Sequence, residues 1–116
     1  MNLKDKICAL LTVLFASTVS SQYYKENISV VLFKADFVEE ISLKDYREHN
    51  TYVFDFENSK HEDYFIDDEI EFLPTLILFN NGKEIYRIEA GITLKMPDDY
   101  KTRLERQIDK LIENKF

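Results

Sequence analysis

The stretch EFLPTLILFNNGKEIYRIEAG, residues 71–91, carries the fold of this chain. Thr75 to Phe79 is a short apolar run that reads as a buried strand, and Lys83 to Ala90 reads as its partner. Between them stands Asn80-Asn81-Gly82. Asn-Gly is the strongest short hairpin signal, because a type I′ turn needs positive φ at both central residues. Pro74, at the head of the first strand, is the odd residue. Proline gives no N–H to a ladder and is rare inside central strands, so the question is how the chain enters this one.

Upstream, ISVVLF at 28–33 is continuously apolar and rich in Val and Ile, which suits a strand covered on both faces. FVEEISLKDYREHN follows, apolar at Phe37, Val38, Ile41, Leu43 and Tyr46. That spacing predicts one face of a helix, with Glu39, Glu40, Lys44, Asp45 and Glu48 turned to solvent. TYVFDFE, 51–57, puts Tyr52, Phe54 and Phe56 on one face of a second strand. SKHEDYFIDDEIEF predicts a short acidic helix with Ser59 as N-cap and Glu62 as its capping-box partner. Downstream, MPDDYKTRLERQIDKLIENKF predicts a long final helix. Pro97 falls in its first turn, Asp98 and Asp99 near its positive end, and Tyr100, Leu104, Ile108, Leu111 and Ile112 on one stripe. The order is strand, helix, strand, helix, strand, hairpin, strand, helix. It predicts an α/β fold whose first two strands pair in parallel through a right-handed crossover and whose last two form an antiparallel hairpin. A central mixed sheet of four or five strands, flanked by helices on both faces, follows from that order.

The 116 residues are 45% hydrophobic, enough for one packed core. Two glycines and two prolines leave little material for linkers. A net charge of −7 disfavours nucleic acid and anionic membrane surfaces, since phosphate neutralisation needs clustered Lys and Arg. Cys8 is the one cysteine, so no internal disulfide can form and no Cys/His group has zinc spacing. Residues 1–21 have two readings. Lys4 and Lys6, the apolar run Ile7 to Ala16 and a cut after Ser21 make the layout of a secretory signal peptide. Cleavage would leave 22–116 in the secretory pathway, in the endoplasmic reticulum lumen or secreted, with no stable membrane insertion after processing. In the other reading Leu10 to Phe15 is a buried first strand, followed by a first helix capped near Ser17 or Ser20, and the chain is cytoplasmic.

These motifs resemble the thioredoxin fold. Leu73-Pro74-Thr75, the hairpin and Gly91 are similar to the cis-proline, hairpin and closing glycine of thioredoxins. VVLFKADF, 30–37, takes the place of the strand that runs into their active site. The resemblance implies a cis Leu73–Pro74 bond, with Pro74 starting its strand, and a thioredoxin-like domain over 22–116. It extends over nearly the whole chain if Leu10 to Phe15 is the first strand. The chemistry departs from the family. Where thioredoxins carry Trp-Cys-X-X-Cys, this chain has Phe37-Val38-Glu39-Glu40-Ile41, with Val38 and Ile41 in the cysteine places. Disulfide exchange needs a thiolate, which neither can supply. The buried acid of thioredoxins falls at Leu32.

Non-catalytic domains of the protein disulfide isomerase type share these departures and bind peptides or other subunits. The resemblance therefore implies a redox-inactive module that binds protein or peptide, with no enzyme activity and no cofactor. Its groove would be formed by Phe37, Val38, Ile41, Leu73, Pro74 and Thr75. Glu39 and Glu40, in the first turn of the expected second helix, would favour apolar or basic partners. The alternative is a structural subunit that uses the fold only to dock in a larger assembly. A third reading, an enzyme working without the cysteines, finds no placed nucleophile.

Other candidate sites are weaker. His49 and His61 stand alone beside polar turns, as solvated side chains and not as metal ligands. Glu57, Glu62, Asp63, Asp67, Asp68, Glu69 and Glu71 read as a solvated acidic face, without the Gly and alternating oxygen ligands of an EF-hand loop. No metal site is expected. Tyr23, Tyr24 and Phe37 are candidates for exposed binding aromatics.

Overall fold

Strand β1 (Ile28–Lys34) is the spine of a four-stranded mixed sheet. It pairs in parallel with β2 (Asn50–Asp55) and antiparallel with β3 (Thr75–Asn80). β3 pairs antiparallel with β4 (Lys83–Glu89), giving the order β2-β1-β3-β4. This is the mixed α/β sheet that the sequence order predicts. The computed structural model describes residues 23–115; Phe116 and both readings of the N-terminus, including Leu10–Phe15, lie outside it. Of the expected first helix only Tyr23–Lys25 is described, as a 3-10 turn.

The two central strands are buried on both sides, which is why they read as unbroken apolar runs. Side chains alternate across the sheet. Ile28, Val30, Leu32, Leu76 and Leu78 face helix α2 (Tyr100–Lys115), which packs through Leu104 and Ile108. Val31, Phe33, Ile77 and Phe79 face the other way. There they meet Tyr24, Phe54 and, from helix α1 (Glu62–Asp67), Tyr64 and Phe65.

Pro74 is buried at the entrance to β3, behind a cis Leu73–Pro74 bond, and its carbonyl accepts from Ala90 N at 3.0 Å. The hairpin beyond has positive φ at Asn81 (51°) and Gly82 (88°), as its two-residue turn requires. Gly82 N donates to Lys25 O at 2.8 Å and Asn81 N to Asn27 O at 3.0 Å, tying the hairpin tip to the N-terminal turn.

The crossover from β1 to β2 contradicts the helix expected over Phe37 to Tyr46. It contains only a 3-10 turn, Lys44–Tyr46. Ile41 and Tyr46 are nonetheless buried under α2, with Leu43 packed beside them, so the apolar pattern belongs to a strap and not to a helical face. β-Branched Val38 and Ile41 lose side-chain freedom in a helix. Glu39, which a helix would turn to solvent, instead accepts from Met96 N at 2.7 Å. Glu39 and Glu40 therefore sit at no helix start, and no macrodipole acts on them.

Smaller corrections follow from local hydrogen bonding. The acidic helix is introduced by Asn58, whose side chain accepts from Lys60 N at 3.0 Å and opens a 3-10 turn, Ser59–His61. The expected Ser59–Glu62 box is not formed, and α1 begins at Glu62. Phe56 lies past the end of β2 and is exposed, so it does not share the buried face of Phe54. Pro97 precedes α2, its carbonyl accepting from Tyr100 N at 3.1 Å. Among the described residues, no helix is long and apolar enough to cross a membrane.

Candidate functional site

β1 and β2 are parallel, so their carboxyl ends open at the same edge of the sheet. The chain leaving β1 presents Phe37, and the chain leaving β2 presents Phe56. Two hydrogen bonds hold these exits together. Phe56 N donates to Lys34 O at 2.8 Å, and Asp36 N donates to a Glu57 carboxylate oxygen at 2.9 Å. Helix α1 and the segment after it close the far side. The result is a groove of about 860 Å³ lined by Phe37, Phe56, Phe65, Ile66, Ile70 and Leu73, with Glu57, Glu62, Glu69 and Glu71 among its other walls. Phe37, Phe56 and Ile66 are 62%, 61% and 64% exposed, which large apolar side chains tolerate singly but seldom in a cluster.

The floor is rigid because it is the outer layer of an aromatic core. Phe65 packs edge-on against Phe33 (5.0 Å between centroids) and Phe56 (5.9 Å). Phe54 stacks on Tyr64 at 4.3 Å. His61 is half-buried beside Phe54 at 5.1 Å, and its Nδ1 accepts from Asp55 N at 3.0 Å. This histidine is thus a structural acceptor, which corrects its reading as a solvated side chain.

The wall after α1 is pinned from within. Asp68, expected in a solvated acidic face, is buried. One of its oxygens lies 2.8 Å from Lys25 Nζ and the other accepts from Tyr24 Oη at 2.8 Å. Lys25 also lies over the Tyr24 and Phe79 rings, at 5.4 and 5.1 Å. Arg87 reaches across from β4 and donates to the carbonyls of Asp68 (2.6 Å) and Glu69 (3.3 Å). Burial, and then the hydrogen bond to Asp68, push the Tyr24 phenol far above its usual range. Tyr24 is wholly buried, contrary to the expectation of an exposed binding aromatic, whereas Tyr23 is half-exposed and Phe37 mostly exposed.

Of the six residues that the sequence assigns to a groove, the structure brings Phe37 and Leu73 to this one. Pro74 and Thr75 are buried at the start of β3, and Ile41 is buried under α2, so these three present no surface. Val38 is half-buried and does not line the groove. Phe56, Phe65, Ile66 and Ile70 were not singled out by sequence. The available signal was Tyr64-Phe65-Ile66: three consecutive apolar residues on one helix cannot all face the core. At the Glu57 end of the groove, carboxylate oxygens of Asp36, Asp55 and Glu57 lie within 4.8 Å of one another, with Lys34 Nζ 3.7 Å from Asp55.

No protein-family model and no curated protein sequence matches the chain. Solved structures do. Oxidised thioredoxin O2 from Arabidopsis thaliana is similar with a TM-score of 0.57 and 19% identity, over 85% of this chain and 87% of that one. A cysteine-to-serine variant of an Entamoeba histolytica thioredoxin is similar with a TM-score of 0.51 and 15% identity, over 82% and 92%. At these identities the likeness speaks to the fold alone. With Cys8 as its one cysteine, a cis proline ahead of β3 and helices on both faces of a mixed sheet, this chain has the thioredoxin-like fold without a Cys-X-X-Cys pair.

Proposed function

We propose that the chain is a protein- or peptide-binding module with no redox or other catalytic activity of its own. One observation carries the reading: Phe37, Phe56 and Ile66, three large and mostly exposed apolar side chains, converge on one groove of about 860 Å³. Exposed apolar patches with polar rims are characteristic of interaction sites. Its aromatic floor and hydrogen-bonded exits give a preorganised surface, which lowers the ordering cost of binding. The residues in the cysteine places, Val38 and Ile41, are half-buried and buried and offer no thiolate.

Screening the protein against an array of short peptides tests this. Binders are expected whose signal is lost in Phe56→Ser, a variant that should melt as the parent does because Phe56 is 61% exposed. In the same preparation, insulin reduction should stay at the buffer rate. An array without any Phe56-dependent binder would refute the binding module, and insulin turnover above buffer would refute the absence of redox activity.

A further inference from the structure

The groove carries charge of one sign. Glu57, Glu62, Glu69 and Glu71 line it, and no Lys, Arg or His does. At one end Asp36 and Asp55 add their carboxylates to that of Glu57. Lys25 pairs with Asp68, Arg87 with Glu84 and Lys34 with Asp55, while Lys60, next to the lining Ser59, is exposed and does not line the groove. Among the described residues, none of the four groove glutamates forms a salt bridge. A concave site with low-dielectric walls and one sign of charge focuses its field on what enters.

On the reading that this groove binds, we infer that its occupant is a segment of another protein in which Lys or Arg residues are interleaved with apolar residues of Leu or Phe size. The apolar side chains fill the space between Phe37, Phe56, Phe65 and Ile70. The cationic ones lay their methylene stems along the same walls and carry their charge to the glutamate rim. Arginine gains further from the faces of Phe37 and Phe56. A second copy of this chain is a poor occupant, since at a net charge of −7 it brings mainly like charge to an acidic rim.

The test uses fluorescent peptides that share the same Leu and Phe positions and carry Lys, Gln or Glu at all the others. The Lys peptide is expected to bind about tenfold or more tighter than the Gln peptide, with an advantage that shrinks between about 0.05 and about 0.5 M salt. The Glu peptide should not bind. Glu69→Gln/Glu71→Gln should weaken the Lys peptide about threefold or more and leave the Gln peptide unchanged. Asp109→Asn/Glu113→Gln changes net charge equally but sits on α2, across the sheet, and should alter neither. Equal affinity for the Lys and Gln peptides would overturn the charge inference while the groove stands. Equal loss in both double variants would also overturn it, by assigning the effect to net charge. No binding by any of the three would remove the groove and the inference together. A dimer in sedimentation that Phe56→Ser dissociates would give the groove to a second copy instead.

Discussion

The two faces of the sheet are covered by unequal means. On one face, the 16-residue α2 and the crossover strap seal an aliphatic core of Ile28, Val30, Leu32, Leu76, Leu78, Leu104 and Ile108. On the other, α1 has only six residues, less than two turns, and with its own Tyr64 and Phe65 it covers a core dominated by rings: Tyr24, Phe33, Phe54 and Phe79, beside Val31 and Ile77. Rings lengthen the reach of a short cover, but they do not finish it. Phe37, Phe56 and Ile66 are left at the surface, and the groove is the uncovered remainder. A buried ion pair and a phenol then hold the edge of that remainder in place; among the described residues the aliphatic face has no buried ion pair. The difference teaches that an open apolar groove can arise where the covering helix is too short for its sheet.

Removing the pin should produce the largest effect. Asp68→Ala leaves Lys25 and Tyr24 Oη buried beside no acceptor. Unfolding stability should fall by about 3–5 kcal/mol in urea melts, because the remaining charge is uncompensated. A loss below about 1 kcal/mol would mean that Lys25 finds solvent and that the wall after α1 is not held this way.

The two buried tyrosines sharpen the comparison with a smaller effect. Tyr24 Oη donates to Asp68, whereas Tyr46 Oη, under α2, has no hydrogen-bond partner among the described residues. Tyr24→Phe should cost about 1–2 kcal/mol at pH 8, and Tyr46→Phe should change stability by less than about 0.5 kcal/mol or raise it. Burial is the main cause that pushes both phenols up, Tyr24 beyond the usual range and Tyr46 to about 12. Unfolded tyrosine ionises near pH 10, so each contribution is fully present below about pH 10 and is lost as pH rises toward the folded value. Each substitution should therefore flatten the alkaline fall in melting temperature, but only Tyr24→Phe should also lower the plateau. Identical plateaus would erase the distinction between the faces.

What could be read from sequence was local. The strands announce themselves by continuous or alternating apolar residues, the hairpin by Asn81-Gly82, and the strand entrance by Pro74. What could not be read depends on partners far along the chain. The spacing of Val38, Ile41 and Tyr46 fits a helix and a strap equally well. One contact that distinguishes them, Glu39 with Met96, spans 57 residues. Asp68 looks like any other member of an acidic run, and its burial requires Tyr24, 44 residues away. Phe37 and Leu73 were legible as groove-lining residues because they flank sequence motifs. Phe56, Phe65, Ile66 and Ile70 join them only through packing, and Ile41 leaves the set because the strap buries it.

The central claim is that the aromatic face, and not the aliphatic one, receives a partner. Amide chemical-shift mapping during titration with the Lys-bearing peptide tests it most directly, because every described residue except Pro74 and Pro97 carries a reporting N–H. Saturable shifts are expected at Phe37, at Phe56 and Glu57, and from Glu62 through Leu73, while the α2 amides from Lys101 to Ile112 stay still. Shifts concentrated on α2, or none at all at saturating peptide, would contradict the account.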